Sequence, residues 1–188
     1  MKVYSNKAVE NGARPGDVLE LYGRDWTVLD TDFPADDGRR SGVLCLMREP
    51  LRRMRMGGGR RIDYSDTDPA AWLEEQGLIF KGDNALDGLW VALDLTADDG
   101  TYWNRMPYET DGFFLLTKEL YRRYRREMEP GEPFWLATKL SGSNDPEGRF
   151  CAVDFEGLPF YEKQDRELGV LPAFVFSKRD FNRGCDRE

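Results

Sequence analysis

Short apolar and aromatic runs, each about one strand long and each closed by a turn signal, dominate this chain and restrict it to a sheet-rich fold. Val18-Leu19-Glu20-Leu21-Tyr22 is preceded by Arg14-Pro15-Gly16-Asp17 and followed by Gly23-Arg24-Asp25, after which Trp26-Thr27-Val28-Leu29-Asp30 runs back. Proline presets φ in such turns and glycine supplies the left-handed residue, while β-branched and aromatic side chains suit the strands. A polar loop from Asp32 to Ser41, containing Pro34 and Gly38, leads to Val43-Leu44-Cys45-Leu46-Met47. That unbroken apolar run fits a central strand covered on both faces. The three segments predict an antiparallel meander. The C-terminal third repeats the pattern at Phe134–Thr138, Phe150–Phe155, Pro159–Tyr161 and Val170–Phe176.

Two short helices are expected among these strands. Asp68-Pro69 is a start signal, with Asp as cap and Pro at the first helical position, and Gly77 follows Gln76 as a stop. On that reading Leu78-Ile79-Phe80 enters the core. Thr117 caps a helix from Lys118 to Met128, with Leu120, Tyr121, Tyr124 and Met128 on one face and arginines on the other. Leu89–Leu93 fits a strand or a helix equally. The expected fold class is therefore α+β, an antiparallel, strand-rich single domain with two short helices. It spans residues 15–178, after an arm at 1–14 and before a polar tail at 179–188 that should fray. A length of 188 residues suits one domain.

Several function classes fall away on residue content. The chain contains no histidine, the usual general base near neutral pH and the commonest metal ligand. Ser-His-Asp and Cys-His catalytic units and His-based zinc or iron sites are excluded. Cys45, Cys151 and Cys185 form no C-x-x-C pair and read as two small core residues and one tail thiol. The net charge of −8 argues against nucleic acid as a partner. No run approaches the ~20 apolar residues a membrane span needs. Met1–Lys7 has no apolar leader segment, which predicts a protein of the producing cell's cytoplasm, or one carried out of it inside a virus particle.

Asp98, Asp99, Tyr102, Trp103, Asn104 and Arg105 form a polar loop with adjacent aromatics, a composition suited to carbohydrate or peptide contacts. Trp26, Trp72 and Trp135 lie inside predicted elements and read as core. Asp94–Gly100 has oxygen ligands at alternate positions, as calcium requires, but lacks the glycine placement and the closing glutamate of a calcium loop. Ser141–Gly148 is oxygen-rich in the same incomplete way. No metal and no cofactor is expected.

Residues 48–61 carry six arginines and one glutamate, with Leu51, Met54 and Met56 interleaved and Gly57-Gly58-Gly59 behind them. Arg52, Arg53, Arg55, Arg60 and Arg61 suit a contact with an acidic protein surface, including a second copy of this chain, because guanidinium forks onto carboxylate. The bland alternative is a charged strand edge that resists aggregation.

The order of these blocks resembles the DUF6273 domain of gut bacteria and their phages. The resemblance is carried by Gly16-Asp17-Val18 with Tyr22–Asp30, by Asp63-Tyr64-Ser65-Asp66 with Trp72-Leu73, by Gly112–Glu119, and by Phe134-Trp135-Leu136, Val153–Gly157 and Gly169–Phe174. It covers roughly residues 15–178. Glu74, Ala137, Thr138 and Leu171 depart from the polar residues usual at those places in the family. The closing strands also look like those of C-type-lectin-like folds, which present loops for binding. Together these readings favour a non-catalytic binding or assembly module of phage or phage-like origin, recognising a protein or a carbohydrate. The alternatives are a carboxylate-dependent hydrolase using Asp94, Asp98, Asp99 or Asp154, and an acidic inhibitor protein.

Overall fold

The computed structural model describes residues 12–58, 63–96, 107–129, 131–140 and 148–185. The chain is an α+β domain whose described residues form two main sheets and a small ribbon. Strands β1 (Val18–Leu21), β2 (Arg24–Ala35) and β3 (Arg40–Met47) make the expected antiparallel meander, which β11 (Ala173–Ser177) completes beside β3. The second sheet runs in the order β4 (Arg52–Met54), β10 (Leu168–Val170), β7 (Phe134–Lys139), β8 (Arg149–Val153), β9 (Pro159–Lys163). Its pairs are antiparallel except β10 with β7. The undecided segment at Leu89–Leu93 resolves as a strand: β5 (Val91–Leu93) pairs with β6 (Tyr108–Thr110).

The meander differs from the sequence reading at its hairpin. The stretch read as a loop from Asp32 to Ser41 is mostly strand, because β2 runs on to Ala35 and pairs Phe33 with Gly42 and Ala35 with Arg40. Register shifts after Val28 and after Asp30 let the polar Asp30-Thr31-Asp32 step pass without ending the strand. The turn itself is a single 3₁₀ turn over Asp36–Gly38.

An extended buried segment, Phe113–Leu116, ties the sheets together. Phe114 and Ala173 exchange backbone hydrogen bonds of 3.1 and 2.8 Å on the meander side, and Ala137 N donates to Leu116 O at 2.9 Å on the other. It makes one bridge rather than a ladder strand. The core around it is aromatic: Trp26, Phe80, Phe113, Phe174 and Phe176 meet ring to ring at centroid distances from 4.7 to 6.4 Å.

The described residues form three α-helices where two short ones were expected. Helix α1 (Asp68–Asn84) is 17 residues long and is capped by Thr67, whose hydroxyl accepts from Ala70 N, so Asp68 is its first residue rather than its cap. It runs through Gly77 because that glycine serves packing. A Cβ there would lie 2.7 Å from Phe113 N. The helix ends instead on Ala85 in the left-handed region at φ 50°, with Leu86 N bonded back to Lys81 O. Leu78 and Ile79 consequently lie on the outer face, 60% and 50% exposed, and only Phe80 packs inward. Gly77→Ala should cost about 1–3 kcal/mol through overpacking, although alanine is the better helix former. A urea midpoint equal to or above the wild type would refute the close-contact account.

Helix α2 (Lys118–Tyr124) follows the Thr117 cap and tightens to a 3₁₀ turn at Arg125–Glu127, with Tyr121, Tyr124 and Met128 buried as the spacing implied. The segment read as a fraying tail is helix α3 (Lys178–Cys185), with Asp180, Phe181, Gly184 and Cys185 buried. Cys185 is thus a core thiol like Cys45 and Cys151. Among the described residues no helix is long and apolar enough to cross a membrane.

Candidate binding site

The site builds from the β2–β3 hairpin and the β5–β6 ribbon. Through β5 and the two residues before it the side chains alternate: Leu89, Val91 and Leu93 go into the core, while Trp90 and Ala92 face out. Ala92 lies opposite Glu109 of β6, which is also exposed. Trp90, Val91, Ala92 and Glu109, with Asp36 and Arg39 from the hairpin turn, line an open depression of about 250 Å³. Trp90 is 54% exposed.

Asp36 holds this corner together. Its N–H donates to Trp90 O at 2.8 Å, its Oδ1 accepts from Trp90 N at 3.2 Å, and its Oδ2 takes the Arg40 guanidinium. It does so from a left-handed backbone, φ 50°, which aspartate tolerates better than most residues. With both carboxylate oxygens engaged, Asp36 acts as a clamp on the Trp90 backbone. Besides Asp36, the polar and aromatic residues that line the depression are Trp90, Arg39 and Glu109. A planar apolar surface flanked by one donor set and one acceptor set is suited to a ligand that is flat on one face and hydroxylated at its edge.

The loop residues expected to bind, Asp98, Asp99, Tyr102, Trp103, Asn104 and Arg105, lie outside the described residues, as do Arg60, Arg61 and residues 141–147. Trp90 is one of the five tryptophans that could line a sugar-binding platform, but the sequence does not place it inside or outside the core because Leu89–Leu93 fits a strand or a helix equally. The period-two alternation that turns Trp90 outward exists only if the segment is a strand. Of the other tryptophans, Trp26 and Trp135 are fully buried, as read, whereas Trp72, also read as core, is only partly buried and packs against the core from outside.

Two carboxylates considered for catalysis are occupied as turn caps. Asp94 Oδ1 accepts from Thr96 N at 2.9 Å. Asp154 Oδ1 accepts from Glu156 N and Leu158 N at 2.9 and 2.8 Å. Asp30 accepts from the Tyr124 hydroxyl at 2.5 Å. Burial first, and that hydrogen bond second, push the Tyr124 phenol up to about 12, so it keeps its proton at neutral pH. Lys118 is buried with Nζ 3.1 Å from the Tyr161 hydroxyl. Among the described residues no three His, Cys, Asp or Glu side chains come together to hold a metal. Arg52 and Arg53 lie on β4, the outer strand of the five-stranded sheet, with Arg55 just past its end, and none of them lines the Trp90 depression.

No protein-family model, curated protein or solved structure matches the chain.

Proposed function

We propose that the chain is a non-catalytic recognition module that binds carbohydrate on the Trp90 ledge. The observation that carries this reading is the outward-facing indole, clamped through its own backbone by Asp36 and set in a depression between Arg39 and Glu109. The face of a pyranose ring presents C–H groups that stack on the negative face of an indole, and its equatorial hydroxyls reach guanidinium and carboxylate at the rim. An isolated exposed aromatic needs no explanation. An exposed aromatic whose backbone N–H and C=O are both bonded to one aspartate is held in place at its main chain, which lowers the ordering cost of binding. The likeness of the closing strands to lectin-like folds supports the same reading, and the implied phage-like origin makes a cell-surface glycan a natural ligand.

Titration against a panel of neutral and acidic oligosaccharides, followed by calorimetry, tests it. Wild type should bind at least one glycan class. Trp90→Ala should lose about tenfold or more in affinity, while its stability stays within about 0.5 kcal/mol as for a surface change. Equal binding by Trp90→Ala, or no binding to any glycan, overturns the reading.

A further inference from the structure

A second surface, independent of the Trp90 ledge, lies along β4. This strand stands last in its sheet and pairs only with β10 among the described residues. Arg53 lies opposite Gly169, and Gly169 N donates away from β4, to Pro133 O at 3.0 Å. Outside the three-residue strand the bonds toward the β10 side are irregular, with Leu51 N donating to Val170 O and Met56 N to Gln164 O. Backbone groups alternate sides along a strand. Because Gly169 turns its backbone groups toward β7, Arg53 and Gly169 form a non-hydrogen-bonded pair, and the N–H and C=O of Arg53 face the open edge, while Arg55 lies just past the end of the strand. The side chains alternate as well: Met54 and Met56 pack inward, and Arg53 and Arg55 face solvent.

Those arginines are weakly engaged. Arg53 meets Glu132 at 3.7 Å and Glu167 O at 3.4 Å, and Arg55 meets Asp68 at 3.7 Å, with both side chains more than half exposed. Arg52, beside them, is exposed too. Such pairs contribute little and exchange easily. An arginine-bearing edge in a chain of net charge −8 is a local reversal of sign.

We infer that the β4 edge docks an extended acidic segment of a partner protein by strand addition. The two constraints specify the segment. Backbone bonds to Arg53 require a β-conformation, and the exposed side chains of Arg53 and Arg55, two residues apart, call for carboxylates at alternate positions of the added strand. Carboxylates belong at those positions, with an apolar residue between them beside Met54. The occupant is a Glu-apolar-Glu alternation. Nucleic acid meets the charge requirement but cannot make the directional edge bonds, and the protein's net charge repels it.

Fluorescence anisotropy with a labelled Glu-Val-Glu-Val-Glu peptide tests this. The comparison ligands are a shuffled Glu-Glu-Glu-Val-Val peptide, the same alternating peptide N-methylated at its edge-bonding amides, and a single-stranded oligonucleotide. The alternating peptide should bind about tenfold tighter than each of the three, and added salt should weaken it. Arg53→Glu with Arg55→Glu should abolish binding with melting unchanged, and Arg53→Gln with Arg55→Gln should weaken it if the reversal disturbs folding. Equal binding of the shuffled or N-methylated peptide would show charge attraction alone. Tighter binding of the oligonucleotide, or no binding at all, would also overturn the proposal.

Discussion

Trp26→Ala and Trp135→Ala are each expected to cost about 3–5 kcal/mol of stability, the range for deleting a buried tryptophan. Both rings have no solvent exposure. Trp26 projects from β2 into the aromatic core, where it lies 5.3 Å from Phe176, 6.0 Å from Phe80 and 6.1 Å from Phe113. Its Nε1 also donates to Leu21 O at 3.1 Å, bracing the β1–β2 hairpin. Trp135 does the equivalent work in the other sheet. It rises from β7, passes over β10, and donates from Nε1 to Met54 O at 2.8 Å, which pins the edge strand β4. Total stability of a domain is only about 5–15 kcal/mol, so either truncation removes a large part of it. Phenylalanine keeps most of the apolar volume and loses the donor, so Trp135→Phe should cost less than Trp135→Ala while still loosening β4. Urea denaturation with an unchanged slope and a lowered midpoint is the expected result. An unchanged midpoint for either alanine variant would show that the ring does not fill the core.

The parts of this fold that were legible in the sequence are those where local chemistry and tertiary packing agree. The Pro15-Gly16 and Gly23 turns flank strands whose alternation matches the meander, and Thr117 caps α2 through a hydroxyl that accepts from Leu120 N. The misread parts are those where one residue type has two uses. Gly77 looks like a helix stop, yet it is there to let α1 touch the backbone of Gly112 and Phe113. Ala85 ends the same helix in a left-handed conformation that nothing about alanine announces. Helix α3 carried a readable signal that polarity concealed. Ser177-Lys178-Arg179-Asp180 has the spacing of a capping box, and Asp180 N does donate to Ser177 Oγ at 3.0 Å. Phe181 and Cys185, four apart, supply the apolar stripe. The candidate site was the least legible part. Its geometry depends on contact between the β2–β3 turn and Trp90, residues more than fifty positions apart, and no local pattern encodes that pairing.

Asp180 marks how strongly that last helix is held, and Asp180→Ala is expected to cost about 3 kcal/mol. The side chain is 1% exposed. Its Oδ2 accepts from Ser177 Oγ at 2.7 Å and from Asp87 N at 3.3 Å. Its Oδ1 faces the guanidinium groups of Arg183 at 3.4 Å and Arg179 at 3.6 Å. Arg183 in turn donates to Asn84 O and Ala85 O at 2.9 and 2.7 Å, satisfying carbonyls at the end of α1. The Asp180 carbonyl accepts from the Tyr22 hydroxyl at 2.5 Å, which adds the β1–β2 turn to the same joint. Breaking a buried ion pair generally costs 3–5 kcal/mol because one charge is left unmatched. Here the lower end applies, since the Arg183 side chain keeps 35% of its surface in water and retains its two carbonyls. Asp180→Asn separates the contributions. It preserves an acceptor for Ser177 and Asp87 while removing the charge opposite Arg183, so it should fall between wild type and alanine. Hydrogen exchange of the α3 amides gives the local readout: both variants should lose protection there before the strands of the meander do. Loss of protection spread evenly over the whole chain, or an alanine variant as stable as wild type, would show that α3 is not fastened through this carboxylate.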